Sequence, residues 1–209
     1  MYIPPAFRES RSEVLHEIIR RYSFGTLVSH VDGELFSTHL PFLLHPTRGT
    51  HGTLVAHMAR ANPHWRGFQD GAEVLALFQG PHSYVSPRWY ATPAAVPTWN
   101  YTAVHAYGRP RLVEDETALR ALLEDTVRLY EGTYDDPWST DRLDEDLVAK
   151  LVQAIVGFEI PISRLEGKLK LNQNRSLADR QGVITALLQQ GDPQGVEVAR
   201  LMQLHEPRD

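Results

Sequence analysis

The chain has 209 residues, 42% hydrophobic and 22% charged, which suits one large globular domain with a substantial core. A net charge of −5 speaks against bulk attraction to nucleic acid or anionic membrane, and no apolar run approaches a membrane span. Cysteine is absent, excluding disulfides, thiol catalysis and cysteine-based zinc sites; with no secretory apolar core in MYIPPAFRESR, a cytoplasmic protein is expected.

Ser10 followed by Glu13 reads as a capping box, and Val14, Leu15, Ile18, Ile19 and Tyr22 then mark one face of a helix. Residues 24–31 and 34–44 are rich in β formers around Asp32-Gly33, a two-residue hairpin signal. Pro41 predicts an edge or a bulge in the second of these strands. Residues 52–58, GTLVAHM, read as a third strand, after which Asn62-Pro63 breaks the pattern and opens a short helix. A fourth strand is expected over residues 72–78.

Residues 78–101, FQGPHSYVSPRWYATPAAVPTWNY, carry four prolines together with Trp89, Trp99, Tyr84, Tyr90 and Tyr101. Each proline removes a donor and fixes φ, so a loop is expected here, with neither a long helix nor a central strand. Two readings stand for its aromatics. They cap the core of a long connection, or they form a stiff binding wall that loses little entropy on stacking; the length of the loop favours the wall.

Residues 99–113 then suit a strand bent near Gly108 and Pro110. Helices are expected over 115–130, striped by Leu119, Leu122, Leu123 and Val127, and over 143–154. A short strand over 156–162 contains Pro161, and GKLKLNQNRS follows as a polar, basic segment. Two closing helices, 177–189 and 193–204, flank Gln190-Gly191-Asp192. Many short strands with helices at both ends argue for an α+β, mainly β fold, a barrel or curled antiparallel sheet with flanking helices. A parallel α/β sheet needs crossover helices, and only one short helix fits between residues 24 and 113.

Two constellations could carry chemistry. His57, Arg60, Asn62 and His64 follow a strand and open a helix, a natural place for an anion, and equally a surface arginine beside a turn. Lys168, Lys170 and Arg175 surround Asn172, Gln173 and Asn174, donors suited to a heterocycle edge or a phosphate, or to a solvated helix start capped by Ser176. The ten histidines match no metal-ligand spacing, so no metal site is assigned. G-x-S-x-G, G-x-G-x-x-G and P-loop patterns are missing, and no catalytic residue is assigned. The closing helices fit a helix-turn-helix in length, but the last carries Arg200 as its only cation, so packing or a dimer interface is the favoured role.

Taken together, MYIPPAF, GTLVAHMARANPHW, FQGPHSYVSPRWY, VPTWNY and GFEIPISRLEGKLKLNQNRS resemble the PaiB family of FMN-binding negative transcriptional regulators over nearly the whole chain. Departures from the family pattern are Asn172, where serine precedes QNR, and Ala6, where histidine is common. The resemblance implies a split β-barrel of the flavin-reductase and pyridoxamine-phosphate-oxidase type. It would form one domain over 1–209, with the closing helices (about 176–205) as an appendage, and a homodimer with FMN at the subunit interface. It further implies His57, Arg60 and Asn62 at the FMN phosphate, and Thr38 and His39 along the ring or ribityl chain. Trp99, Asn100, Lys170, Gln173 and Asn174 would border the site. Three functions follow: a flavoprotein with an indirect regulatory effect, an FMN-dependent reductase or oxidase, or a haem-handling relative. Direct DNA binding finds no basic surface to support it.

Overall fold

The structure, a computed structural model, describes residues 1–68, 71–93 and 95–205. The chain forms two compact units. A middle unit comprises Ile19–Leu77 and Ala106–Leu165, and a terminal unit comprises Met1–Ile18, Phe78–His105 and the chain from Glu166 onward.

In the middle unit, β2 (Phe24–Val31) and β3 (Glu34–Pro41) make the expected hairpin, with Val31 opposite Glu34 and Phe24 opposite Pro41. Asp32 and Gly33 turn it at φ of 52° and 82°, a pair of left-handed residues whose twist matches that of the strands. β4 (Leu43–His45) pairs with β5 (Thr53–Ala59), β5 with β9 (Ile155–Lys170), and β9 with β8 (Arg111–Val113), all antiparallel. With β6 (Val74–Val85) and β7 (Thr98–Gly108), the hydrogen-bonded order is β3-β2-β6-β7-β9-β5-β4. β3 ends that path, so Pro41 lies on an edge, as its missing donor requires. The core holds Leu27, Leu40, Phe42, Leu54, Ala76, Phe158 and Ile160, with the Phe68 and Phe158 rings 5.0 Å apart. Helices α2 (Glu116–Glu131, capped by Asp115) and α3 (Glu145–Gln153) bury Leu119, Leu122 and Val152 against Val55.

Two strands run longer than expected. β6 runs on through Pro81 to Val85 instead of ending at Phe78, so residues 78–85 of the expected loop are strand. The partners of β2 on β6 are Leu75 to Leu77, so Pro81 lies beyond the register where β2 needs a donor. β9 extends to Lys170 instead of ending at Ile162, because Lys168-Leu169-Lys170-Leu171 alternates polar and apolar as a half-buried strand does.

In the terminal unit, β1 (Arg8–Glu9) pairs with the end of β9, Arg8 opposite Lys168. The first helix, α1 (Ser12–Arg21), starts two residues after the expected cap at Ser10. The Glu9 carboxylate accepts from the N–H groups of Ser10 (3.0 Å) and Arg11 (2.9 Å) just ahead of it. The closing helices are α4 (Leu177–Gln190) and α5 (Pro193–Leu204). Ser176 caps α4 by accepting from Asp179 N, Gly191 ends it at φ 69°, and Asp192 caps α5 by accepting from Gly195 N. Val183, Leu187, Val198 and Met202 bury the seam between them. At Gly182 any Cβ would stand 2.0 Å from the Trp89 carbonyl oxygen, so only glycine lets α4 lie against the turn at Pro87–Trp89. Asp179 fastens the same segment, accepting from Thr92 N and Oγ1, both at 2.9 Å. No helix of the described residues is long and apolar enough to cross a membrane.

Candidate functional site

The residues singled out in the sequence fall into two groups, one in each unit. In the middle unit, the chain leaving β5 turns at Asn62 into a short 3-10 helix, Pro63–Phe68. Asn62 Oδ1 caps it by accepting from His64 N at 3.0 Å, and Asn62 Nδ2 donates to Thr38 Oγ1 at 3.1 Å. His64 lies fully buried, with Nδ1 2.7 Å from Thr38 Oγ1 and Nε2 2.7 Å from Ser29 Oγ. Between two hydroxyls and without a carboxylate, burial pushes its pKa down to about 4, so the imidazole is neutral. Thr38, Asn62 and His64 are therefore brought together, each bonded to protein groups.

His39, next to Thr38 on a strand, points the opposite way and is exposed. His57, opposite Gly157, is half-buried, and desolvation lowers its pKa. Arg60 is directed to backbone: Nε donates to the Gln153 carbonyl (2.7 Å) and Nη2 to that of Ile155 (2.8 Å). The Gln153 carbonyl is at the C-terminus of α3, where a helix dipole favours a cation, and Ile155 opens β9. A cleft of about 440 Å³ beside Arg60 and Trp65 is lined largely by Leu112, Val113, Leu119, Val152 and Val156. Among the described residues no three His, Asp or Glu side chains converge as metal ligands would.

The terminal unit is arranged differently. Along β7 alternate side chains face out, and Trp99 is 53% exposed. Its ring lies 6.3 Å from that of His82 and 6.1 Å, edge-on, from that of Tyr84, both on β6. Asn100, on the inward side, is fully buried; its Nδ2 donates to Met202 Sδ at 3.4 Å, while its Oδ1 has no partner among the described residues. Lys170 Nζ donates to Thr98 Oγ1 (2.6 Å) and to the Trp99 carbonyl. Beyond β9 the QNR turn is self-contained. Gln173 accepts from Leu171 N (2.8 Å) and donates to the Leu169 carbonyl (2.6 Å), while Asn174 is exposed. Asn172, at φ 60°, donates to Tyr90 Oη at 3.2 Å. Asparagine adopts that left-handed geometry more readily than serine does, which accounts for the departure noted above.

Sequence reasoning passed over His64 as a bonded residue and Arg180 altogether. Arg180 is buried, and its guanidinium donates to the carbonyls of Leu171 (2.7 Å), Met202 (2.6 Å) and His205 (2.6 Å). A signal existed: Arg180, Val183, Ile184 and Leu187 share one helical stripe, and a cation on an apolar stripe needs acceptors.

The family described as "Putative FMN-binding domain" matches residues 1–164. Over 205 residues the chain is 38% identical to the protease synthase and sporulation protein PAI 2 of Bacillus subtilis, spanning 97% of both chains. The chain belongs to the PaiB family of FMN-binding proteins. The flavocytochrome Anf3 of Azotobacter vinelandii superposes at a TM-score of 0.63 with 17% identity, over 78% of this chain and 69% of that one. A FAD and heme binding protein of Mycobacterium smegmatis superposes at 0.58 with 15% identity, over 78% and 73%. The fold is the split β-barrel with flanking helices, as expected for the PaiB family.

The donor set fits a flavin mononucleotide. Exposed Trp99 and Tyr84 offer flat faces for a ring, and Lys168, Lys170 and Arg175 offer cations for a phosphate.

Proposed function

We propose that this chain works as an FMN-binding homodimer whose flavin lies against the outward face of β6 and β7 around Trp99, with Lys170 at its border. The observation that carries this reading is the half-exposed cluster of Trp99, Tyr84 and His82 beside Lys170, which bonds Thr98 and the Trp99 carbonyl. Such a patch needs a cover, and a planar ligand topped by a second copy supplies one. Bound there, FMN supplies one- and two-electron chemistry at its ring. Trp99 offers a stacking face, and Asn100 and Gln173, both turned inward, hold the strand and turn that present it.

Regulation is read as indirect. α5 carries Arg200 as its one cation, 3.5 Å from Glu197, so few DNA phosphates could be neutralised. The reading places the protein in the cytoplasm, supported by the lack of cysteine.

The test is purification followed by visible absorption and light scattering, with a gel shift at physiological salt. A flavin spectrum on adding FMN and a mass of two 23.7 kDa chains are expected, with weak, sequence-independent retention of DNA. No FMN binding at micromolar concentration would overturn the cofactor, a single-chain mass the dimer, and a tight specific shift the indirect mode.

A further inference from the structure

The end of α2 and the chain beyond it keep large apolar side chains in solvent. Leu129 is 49% exposed and Tyr134 63%, and Tyr130 and Trp138 are exposed as well. Leu129 also walls a cleft of about 660 Å³ in the middle unit, which it shares with Phe42, Leu43 and Thr133. The basic groups of the cleft are Arg128, paired with Asp125 at 2.9 Å, and Arg20 and His45, which come from α1 and β4.

Charge says what covers this face. Residues 114–146 hold twelve Asp and Glu against three Arg, a net of −9 in a chain of −5, so the remainder nets +4. The three arginines are consumed inside the segment. Arg120 meets Glu116 (3.1 Å) and Glu145 (2.8 Å), Arg128 meets Asp125, and Arg142 meets Asp136 (2.6 Å). Glu114, Glu124, Asp135, Asp144 and Asp146 are exposed and meet no cation among the described residues. Among those residues no three carboxylates converge as metal ligands would, so the charge is spread over a surface and not gathered on one ion.

We propose that this face is a docking surface for a basic, amphipathic segment of a partner protein. Apolar side chains of that segment fill the cleft beside Phe42 and Leu129. Its lysines and arginines lie over Tyr134 and Trp138 and among Asp135 and Asp136, which follow Thr133 at the cleft. A cation is attracted to an exposed tyrosine or tryptophan face and to carboxylates alike, so an aromatic surface set among acids selects Lys and Arg over Asp and Glu. Nucleic acid and anionic membranes are repelled by the same field. None of these residues belongs to the flavin site proposed above.

The experiment uses the full chain and a labelled synthetic peptide of about 14 residues, roughly four helical turns, with leucines on one face and lysines on the other. A counterpart with glutamate in place of lysine and a scrambled version of the first are the controls. By fluorescence anisotropy the leucine–lysine peptide should saturate at one per chain, weaken as salt is raised, and bind about 10-fold tighter than either control. Leu129→Asn and Tyr134→Ser should each weaken it by about 10-fold and leave the melting temperature in place, since both side chains are exposed. Asp135→Asn combined with Asp136→Asn should weaken it by about 3-fold and flatten the salt dependence. Equal binding of the glutamate counterpart, or unchanged affinity in both Leu129→Asn and Tyr134→Ser, would overturn the docking surface. A light-scattering mass that falls from two chains to one in Leu129→Asn would assign the face to a second copy and overturn it as well.

Discussion

The middle and terminal units treat their polar groups in opposite ways. In the middle unit, Thr38, Asn62, His64 and Ser29 satisfy one another, and Arg60 is directed at two backbone carbonyls. In the terminal unit, Lys168, Lys170 and Arg175 meet rings and neutral oxygens but, among the described residues, no carboxylate, and Asn100 leaves a buried oxygen without a partner among them. Both segments read from sequence as anion sites. A basic, amide-rich segment is a binding site only if its donors are left over once the backbone has been satisfied.

Substitutions can break or sharpen that contrast. The largest effect belongs to a cation of the terminal unit that is not left over. Arg180→Ala strands the carbonyls of Leu171, Met202 and His205 and should cost about 3–5 kcal/mol in a urea unfolding curve. A loss below 1 kcal/mol would show that water replaces the guanidinium. Next comes pH. His64 is held near 4 against an ordinary 6.5, so the unfolded chain takes up the proton first. Its contribution is complete above about pH 6.5 and is lost as pH falls toward 4, about 3 kcal/mol in all. His57, also lowered, acts in the same direction. In His64→Gln the fall between pH 7 and pH 4 should shrink by about that amount; an unchanged slope would assign it to other groups.

Smaller effects test the surfaces. Arg60→Ala removes two exposed bonds, to the end of α3 and the start of β9, and should cost about 1 kcal/mol of stability. Unchanged stability with a selective loss of FMN would return Arg60 to the ligand and erase the contrast. Trp99→Ala should move stability by less than about 0.5 kcal/mol, since the ring is half exposed, while weakening flavin quenching. A large drop in melting temperature would make Trp99 a packing residue.

The β2–β3 hairpin, the strand of GTLVAHM, helices α2 to α5 and the cap at Ser176 were legible in the sequence. They depend on local chemistry: positive φ at Asp32-Gly33, alternation, and side-chain oxygens one turn ahead of free N–H groups. The extension of β6 past Pro81 was not read, because a proline breaks a strand only where a neighbour asks for its donor, and that of β9 to Lys170 was not read because GKLKLNQNRS reads whole as a polar, basic segment. The chemical kinds present, aromatic wall, amides and cations, were equally plain from residues 78–101 and 168–175. Which cations remain unneutralised was decided by the tertiary structure alone. Arg60 meets the carbonyls of Gln153 and Ile155 and Arg180 those of Met202 and His205 only after distant segments pack, and no spacing along a chain records where such acceptors will lie.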